Sequence, residues 1–310
     1  RRRRGVLKWI AIAFLVVVAF AAFSMIPRPI KPSDPSLFEE TRWYGDYYNA
    51  SPSDVSNDWY ERIVSDVTVP ERVASSDAFE NGGVRLGGSG DPEVVLLGDS
   101  HATMWAHLIH RLMKQRGRPL SVWAINGMDP TFASEAGQID PGTIKSRYDA
   151  ARKRMLMQWK PKLTIVSIRW SQRDPDRARR LVEFVASCSE NVLLVGATPE
   201  LRIGDESLRN LLIERGIAPD ERLRQDLPRV MSESLLDASS LGEELAARIP
   251  NVHYLDVSDR YEFDSNALVL VGKHCVYLDD DHLTDFGTFL AKSDFEKALD
   301  RLLAPAQDQK

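Results

Sequence analysis

Apolar positions along this chain follow two regimes. Residues 9–26 (WIAIAFLVVVAFAAFSMI) form an unbroken run without a charge. From residue 91 onward, short apolar runs alternate with stretches in which apolar residues recur every three or four positions. The short runs read as strands and the longer periodic stretches as amphipathic helices. Strands are predicted at residues 93–97 (EVVLL), 120–125, 163–168, 192–195 and 252–257. A first helix follows the first strand, with Met104, Leu108, Ile109 and Leu112 on one face. Further helices are predicted over 144–159, 178–187, 206–216 and 230–248. Thr284 is placed to cap a last helix with Phe286, Phe289, Leu290, Ala298, Leu299 and Leu302 inside. Strands that are apolar nearly throughout need helices on both faces. The pattern therefore predicts an α/β fold, a three-layer α/β/α sandwich around a parallel sheet, over residues 91–305. The chain shows no internal repeat and no low-complexity tract.

The long run is a different object. Its eighteen residues at helical rise cover most of a hydrocarbon core, and a helix pairs its own backbone amides in lipid. Arg1, Arg2, Arg3, Arg4 and Lys8 precede it, and Pro27 and Arg28 close it. Residues 1–26 are thus expected to be a basic flank and one transmembrane helix. The flank places the N-terminus in the cytoplasm and the remainder outside it. A cleaved signal peptide and a buried soluble helix are the competing readings. The run is long for a signal core, and no small-residue cleavage site is obvious after Ser24. The chain opens on arginine, which suggests a processed product or part of a longer protein. Residues 27–90 read as a connector, broken by Pro27, Pro29, Pro32, Pro35 and Pro52. It carries Trp43, Tyr44, Tyr47, Tyr48, Trp59 and Tyr60, which suit either a segment packed on the main domain or a carbohydrate-stacking platform. Gly82, Gly83, Gly87, Gly88 and Gly90 mark a loop before the first strand.

Composition narrows the function classes. With 310 residues, 43% hydrophobic and 27% charged, the chain is neither a disordered tail nor a small disulfide scaffold. A net charge of −5 argues against non-specific nucleic-acid binding, which needs a basic face. Cys188 and Cys275 are too few for a disulfide framework or a cysteine-rich zinc site. A single bridge between them would close a long loop, worth on the order of 4 kcal/mol in the chain-entropy model.

Two segments carry candidate chemistry. The first predicted strand ends in Gly98-Asp99-Ser100-His101, where the first helix begins. A serine there sits at the carboxyl edge of the sheet, where open α/β folds bind ligands. Its amide lies at a helix N-terminus, able to donate to an oxyanion. A plain strand–turn–helix with serine as cap is the alternative. The second segment is Tyr277-Leu278-Asp279-Asp280-Asp281-His282-Leu283-Thr284. In a helical turn, Asp279 and His282 would share one side. Asp279 then holds one ring nitrogen of His282 and leaves the other as a base for the serine hydroxyl. The order Ser…Asp…His is a known arrangement of the catalytic triad. The alternatives for three consecutive aspartates are a solvated turn or a calcium loop, the latter lacking the spacing of an EF-hand. His107 and His110, three apart on the first helix, lack an evident third ligand, so no metal site is expected. His101 reads as structural or donor-binding. The basic residues Arg147, Arg152, Lys153 and Arg154, and those at 169–180, read as solvated helix faces or as an anionic-glycan surface.

Together the two segments resemble the SGNH hydrolase superfamily. Within it, Gly98-Asp99-Ser100-His101-Ala102 and Asp279-x-x-His282-Leu283-Thr284 resemble the SGNH domain fused to bacterial integral-membrane O-acyltransferases of the OafA type. The resemblance covers residues 91–303 and implies an SGNH, flavodoxin-like sheet. In that family a multi-helix membrane domain precedes a further span and a periplasmic SGNH domain, and residues 1–26 resemble that span. Carried over, Ser100 is the nucleophile, His282 the base and Asp279 the orienting acid. Asn126-Gly127, after the second strand, stand where the family has its oxyanion glycine, which assigns Gly127 beside the Ser100 amide. The superfamily asparagine belongs after the third strand. Here Ser167-Ile168-Arg169-Trp170 stand instead, an Arg-Trp pair that occurs in the fused subfamily. Arg169 and Trp170 are the resulting candidates for an oxyanion or substrate contact, with a structural ion pair the other reading for Arg169.

The implied activity is transfer of an acyl group, acetyl first of all, to a cell-envelope polysaccharide or glycolipid through a Ser100 ester. The resemblance implies no cofactor beyond the acyl donor, which a membrane acyltransferase domain of the same full-length chain passes on. It implies the inner membrane, with the catalytic domain on the periplasmic side. A periplasmic carbohydrate esterase and a non-catalytic glycan-binding module are the alternatives.

Overall fold

The alternation of apolar runs and amphipathic stretches becomes a layered α/β domain in the computed structural model. It describes residues 32–37, 80–88, 90–132, 143–201, 203, 207–217, 224–227, 229–230, 233–263 and 266–304. The expected transmembrane run and the connector's rings at 43–60 lie outside these residues. No helix among the described residues is long and apolar enough to cross a membrane.

The central sheet has six strands: β1 (Val84–Leu86), β2 (Val94–Gly98), β3 (Leu120–Ala124), β4 (Leu163–Ser167), β5 (Asn191–Val195) and β9 (Val252–Leu255), in the order β1-β3-β2-β4-β5-β9. The last five run parallel. The chain leaves β2 for β3 on one side, then crosses back to β4 on the other. Such a reversal opens a crevice at the carboxyl ends of the strands. Successive residues of β2 feed opposite cores, as strand geometry requires. Val94 and Leu96 face one, Val95 and Leu97 the other.

The first core lies under α1 (Ser100–Gln115), where the ring of Trp105 packs tilted against Phe295, 4.9 Å between centres. The second lies under α2 (Ile144–Trp159), α3 (Pro175–Cys188) and α5 (Glu233–Arg248). The apolar face expected for α1 is realised: Met104, Leu108, Ile109 and Leu112 are all buried. Local capping sets the helix starts. Thr143 caps α2, and Asp174 caps α3 with Pro175 in its first turn.

The structure corrects the sequence reading at three places and completes it at a fourth. The glycine-rich stretch before β2 is not all loop. It encloses β1, which pairs antiparallel with β3, so the sheet is mostly rather than wholly parallel. A second, antiparallel sheet is appended after β9. It consists of β10 (Glu262–Phe263), β11 (Asn266–Val271) and β12 (His274–Cys275), with β7 (Arg224–Leu227) also on β11. A small pair, β6 (Glu200–Leu201) and β8 (Arg229–Val230), flanks it in sequence, as does α4 (Leu208–Glu214). The last helix is split. Thr284 does cap it, but α6 (Asp285–Phe289) ends in tightened bonds from the Leu290 and Ala291 amides before α7 (Lys292–Leu302) begins. Finally, no disulfide joins Cys188 to Cys275: both are buried, but they sit in the two different cores, on opposite sides of the sheet.

At the N-terminal side, Ser33 donates from its amide to Ile213 O (2.8 Å) and from its hydroxyl to Ile217 O (2.7 Å). This short piece of the connector is packed on the domain.

Candidate active site

Ser100 opens α1 directly behind β2, and its position follows from the two residues before it. Gly98 ends the strand between β3 and β4, with Ser167 as its partner on β4. A Cβ there would lie 1.7 Å from Ser167 O and 2.8 Å from Ala102 Cβ. Only glycine lets the strand end and the helix start approach this closely. Asp99, 1% exposed, caps the helix by accepting from the His101 amide at 2.9 Å. Its second oxygen accepts from the Arg169 amide (3.0 Å) and from Arg173 Nη2 (2.7 Å). The serine is therefore held by a cap and a buried ion pair that reaches the loop after β4.

The loop after β3 is fixed to the same point. Thr103 of α1 places its hydroxyl 2.9 Å from Ser100 O and 2.8 Å from Asn126 Oδ1. Asn126 and Gly127 form a turn closed by the Met128 amide on Ile125 O (3.2 Å). Gly127 is exposed with φ +72°, and no atom lies within 4 Å of where its Cβ would be. Its backbone angle, not a lack of space, selects glycine here.

His282 arrives from the far end of the chain. The segment from β12 onward is tied by the Val276 amide to Val269 O (2.9 Å) and by a bridge between Tyr277 and Leu283. The Leu201 amide donates to Asp280 O (2.6 Å) and the Leu208 amide to Leu278 O (3.0 Å). The appended antiparallel sheet and the β6–α4 region thus grip this turn from both sides. Asp279 and His282 do meet, but not through a helical turn, because α6 starts only at Asp285. Asp279 Oδ1 accepts from the Asp281 amide (3.1 Å) and the His282 amide (2.8 Å), bending the chain back on itself. His282 Nδ1 then lies 2.9 Å from Asp279 Oδ2.

The two ends of the domain meet at the start of α1. The ring of His101, next to Ser100, lies 5.3 Å from the ring of His282, and the Leu283 amide reaches Met104 Sδ at 3.0 Å.

Sequence reasoning missed Asp281, which is 2% exposed. It contacts His282 Nδ1 (2.8 Å), His101 Nε2 (3.2 Å) and Arg169 Nη1 (2.6 Å). The consecutive aspartates signalled it only as one of a set. His101, left between structural and donor-binding roles, has a structural partner in this carboxylate.

The charges act on one another. Burial pulls the His282 imidazole down, but Asp279 and Asp281 outweigh it and push it up to about 10. Burial raises Asp281, but the two imidazoles hold it well below the usual carboxylate range. Asp280 moves upward, through burial and its two acidic neighbours. The raised His282 stabilises the fold fully below about pH 6.5 and loses that contribution as pH rises toward about 10. Urea midpoints taken across this window should fall in the wild type, and the fall should be smaller in His282→Gln.

The remaining candidates divide. Trp170 is buried, and its Nε1 donates to Val195 O at 2.8 Å, a structural contact. Arg169 pairs with Glu200 through Nε (3.3 Å) and Nη2 (3.1 Å) as well as with Asp281. Its contacts are those of an ion pair that joins the loop after β4 and the strand β6 to the His282 turn. His107 lies 3.4 Å from Asp285, and burial, then the charges of His107 and Lys114, lowers His110 to about 4. Among the described residues, His101, Asp281 and His282, and Asp279 to Asp281, cluster closely enough to ligate a metal. The Arg169 guanidinium already occupies Asp281, which disfavours a second cation there. The expected basic faces are partly internal. Arg152 is fully buried, donating to Asp149 (2.5 Å) and Pro130 O (2.6 Å).

A model of the SGNH domain fused to AT3 domains matches residues 70–297. No curated protein matches the chain. Among solved structures, the periplasmic domain of the lipopolysaccharide acetyltransferase of Salmonella ser. Paratyphi A is similar, at 18% identity and a TM-score of 0.52. The match covers 68% of this chain and 85% of that one. The C-terminal catalytic domain of Streptococcus pneumoniae peptidoglycan O-acetyltransferase A is 14% identical, with a TM-score of 0.39 and coverage of 70% and 96%. A GDSL-like lipase of Bacteroides thetaiotaomicron is 13% identical, with a TM-score of 0.41 and coverage of 69% and 92%.

Proposed function

Because the chain belongs to the family of SGNH domains fused to AT3 domains, we propose that it is a serine-dependent O-acyltransferase. The observation that carries this reading is the Asp279–His282 pair, at 2.9 Å, brought beside the helix start that presents Ser100. In the mechanism, His282 Nε2 takes the Ser100 hydroxyl proton as Oγ attacks the acyl carbonyl. The Ser100 and Gly127 amides receive the developing oxyanion. Collapse breaks the bond to the donor, which leaves with the proton from His282. The acceptor hydroxyl then gives its proton to His282 and attacks the Ser100 ester; collapse breaks the ester bond to Ser100 Oγ, which takes the proton back from His282 as the acylated product leaves.

The acyl group in this reading is acetyl, and the acceptor a cell-envelope polysaccharide or glycolipid. The fused AT3 domain of the family supports a membrane partner in the same full-length chain that supplies the donor. The name of the similar Salmonella domain supports an extracytoplasmic, periplasmic site, and in this reading the domain is held at the inner membrane. Water competes with any sugar, so transfer needs a bound acceptor with an effective molarity of about 10⁵ M or more. The test is turnover of p-nitrophenyl acetate with and without an acetyl-acceptor glycan. A transferase releases nitrophenol slowly until glycan is added, then yields acetylated glycan. Fast release without glycan would assign an esterase, and glycan retention without turnover a binding module.

A further inference from the structure

The imidazole of His282 has a second buried carboxylate on the same nitrogen as Asp279. Asp281 sets Oδ1 at 2.8 Å from His282 Nδ1, while its Oδ2 is taken by His101 Nε2 at 3.2 Å and Arg169 Nη1 at 2.6 Å. A carboxylate tied on both oxygens cannot rotate away from the imidazole without breaking contacts to two other elements. Its aim is therefore set by α1, through His101, and by the loop after β4, through Arg169. Asp279 is held differently, by the amides of its own turn, and is more exposed.

We infer that Asp281 is a second positioning residue for His282, sharing with Asp279 the task of fixing the Nδ1 proton so that Nε2 is left as the base. The inference rests on the reading of His282 as base. Two acceptors on Nδ1 favour the tautomer that carries its proton there. Among the described residues, the charged and titratable groups found at the imidazole are Asp279 and Asp281 from its own turn and His101 from α1, with Arg169 of the β4 loop one contact behind, on Asp281. Arg169 offsets part of the Asp281 charge. Asp281 can therefore orient the ring while stabilising the imidazolium less than a bare carboxylate would. This also explains why a guanidinium stands where the superfamily asparagine is missing. Here the residue after β4 acts on the base through Asp281.

The experiment is an NMR titration of His282 in the full chain with labelled histidine, the signal being assigned by its loss in His282→Gln. In Asp281→Asn the midpoint should fall by about one pH unit or more, the effect of removing a charge within hydrogen-bond reach. In Asp279→Asn it should fall but stay above the ordinary 6.5, because Asp281 remains. A midpoint unchanged in Asp281→Asn, or one returned to about 6.5 in Asp279→Asn, overturns the inference. Should Asp281→Asn not fold, the Asp279→Asn titration decides alone. The titration needs no turnover. An inert chain that still shows these shifts upholds the positioning role and removes the acyl-transfer reading instead. In an active chain, the acid limb of the rate profile moves to lower pH with the midpoint.

Discussion

Replacing Ser100 by alanine should lower acyl turnover by on the order of 10⁴-fold or more while leaving the thermal midpoint close to that of the wild type. The loss is large because in the proposed mechanism the Ser100 oxygen carries the acyl group. Without it, His282 has no nucleophile to activate, and only a direct attack by water or sugar on the bound donor remains. The fold is spared because the structural work at this junction is done by neighbours. Gly98 permits the close approach, Asp99 caps the helix, and Thr103 ties the β3 loop. His282→Ala should cost a comparable factor. The double variant should be no worse than either single one, since a nucleophile and its base act as a unit. Turnover of p-nitrophenyl acetate, read beside circular dichroism, checks this. Wild-type rates in Ser100→Ala would place the nucleophile elsewhere.

Much of this site was legible in the sequence because its signals are local. A strand that ends in Gly-Asp-Ser before an amphipathic helix needs no distant partner to be read. Neither does Asp279 three residues before His282. The helix Ile144–Trp159 was legible to its ends for the same reason. Thr143 caps it, and Lys160 closes it in a left-handed conformation with φ 47°. What was missed depends on contacts across the chain. The strand Val84–Leu86 is short and set among glycines, and its pairing with β3 is what makes it a strand. The run at Asn266–Val271 is apolar, but it follows β9, where strict alternation calls for a helix. Antiparallel partners from residues 224–227, 262–263 and 274–275 make it the centre of a second sheet. Asp281 looked like one carboxylate among three. Its burial and its ties to His101, 180 residues earlier, and to Arg169 are products of folding. Whether Cys188 and Cys275 are bridged was open in the sequence on the same ground, since spacing along the chain does not reveal that the sheet stands between them.

The largest stability effect should come from Asp99. Asp99→Ala is expected to destabilise the domain by about 3–5 kcal/mol, the cost of leaving a buried charge without its partner. That is a large share of the roughly 5–15 kcal/mol that holds a domain together. Asp99 has two separable roles. One oxygen caps α1 at the His101 amide, worth about 1 kcal/mol. The other receives the Arg169 amide and the Arg173 guanidinium, whose side chain is 15% exposed. Asp99→Asn keeps an oxygen for the cap but removes the charge, so it should retain most of the loss. Arg173 gains little from its other carboxylate, Asp129, at 3.8 Å. Adding Arg173→Met to Asp99→Asn removes the stranded cation along with its missing partner. The double variant should therefore be more stable than Asp99→Asn alone, because deleting a buried pair costs less than breaking it. Urea unfolding of the wild type, Asp99→Asn, Arg173→Met and the double variant closes the cycle. If Asp99→Asn loses under about 1 kcal/mol, or the second substitution adds to the damage, the Asp99–Arg173 pair is not what anchors the serine.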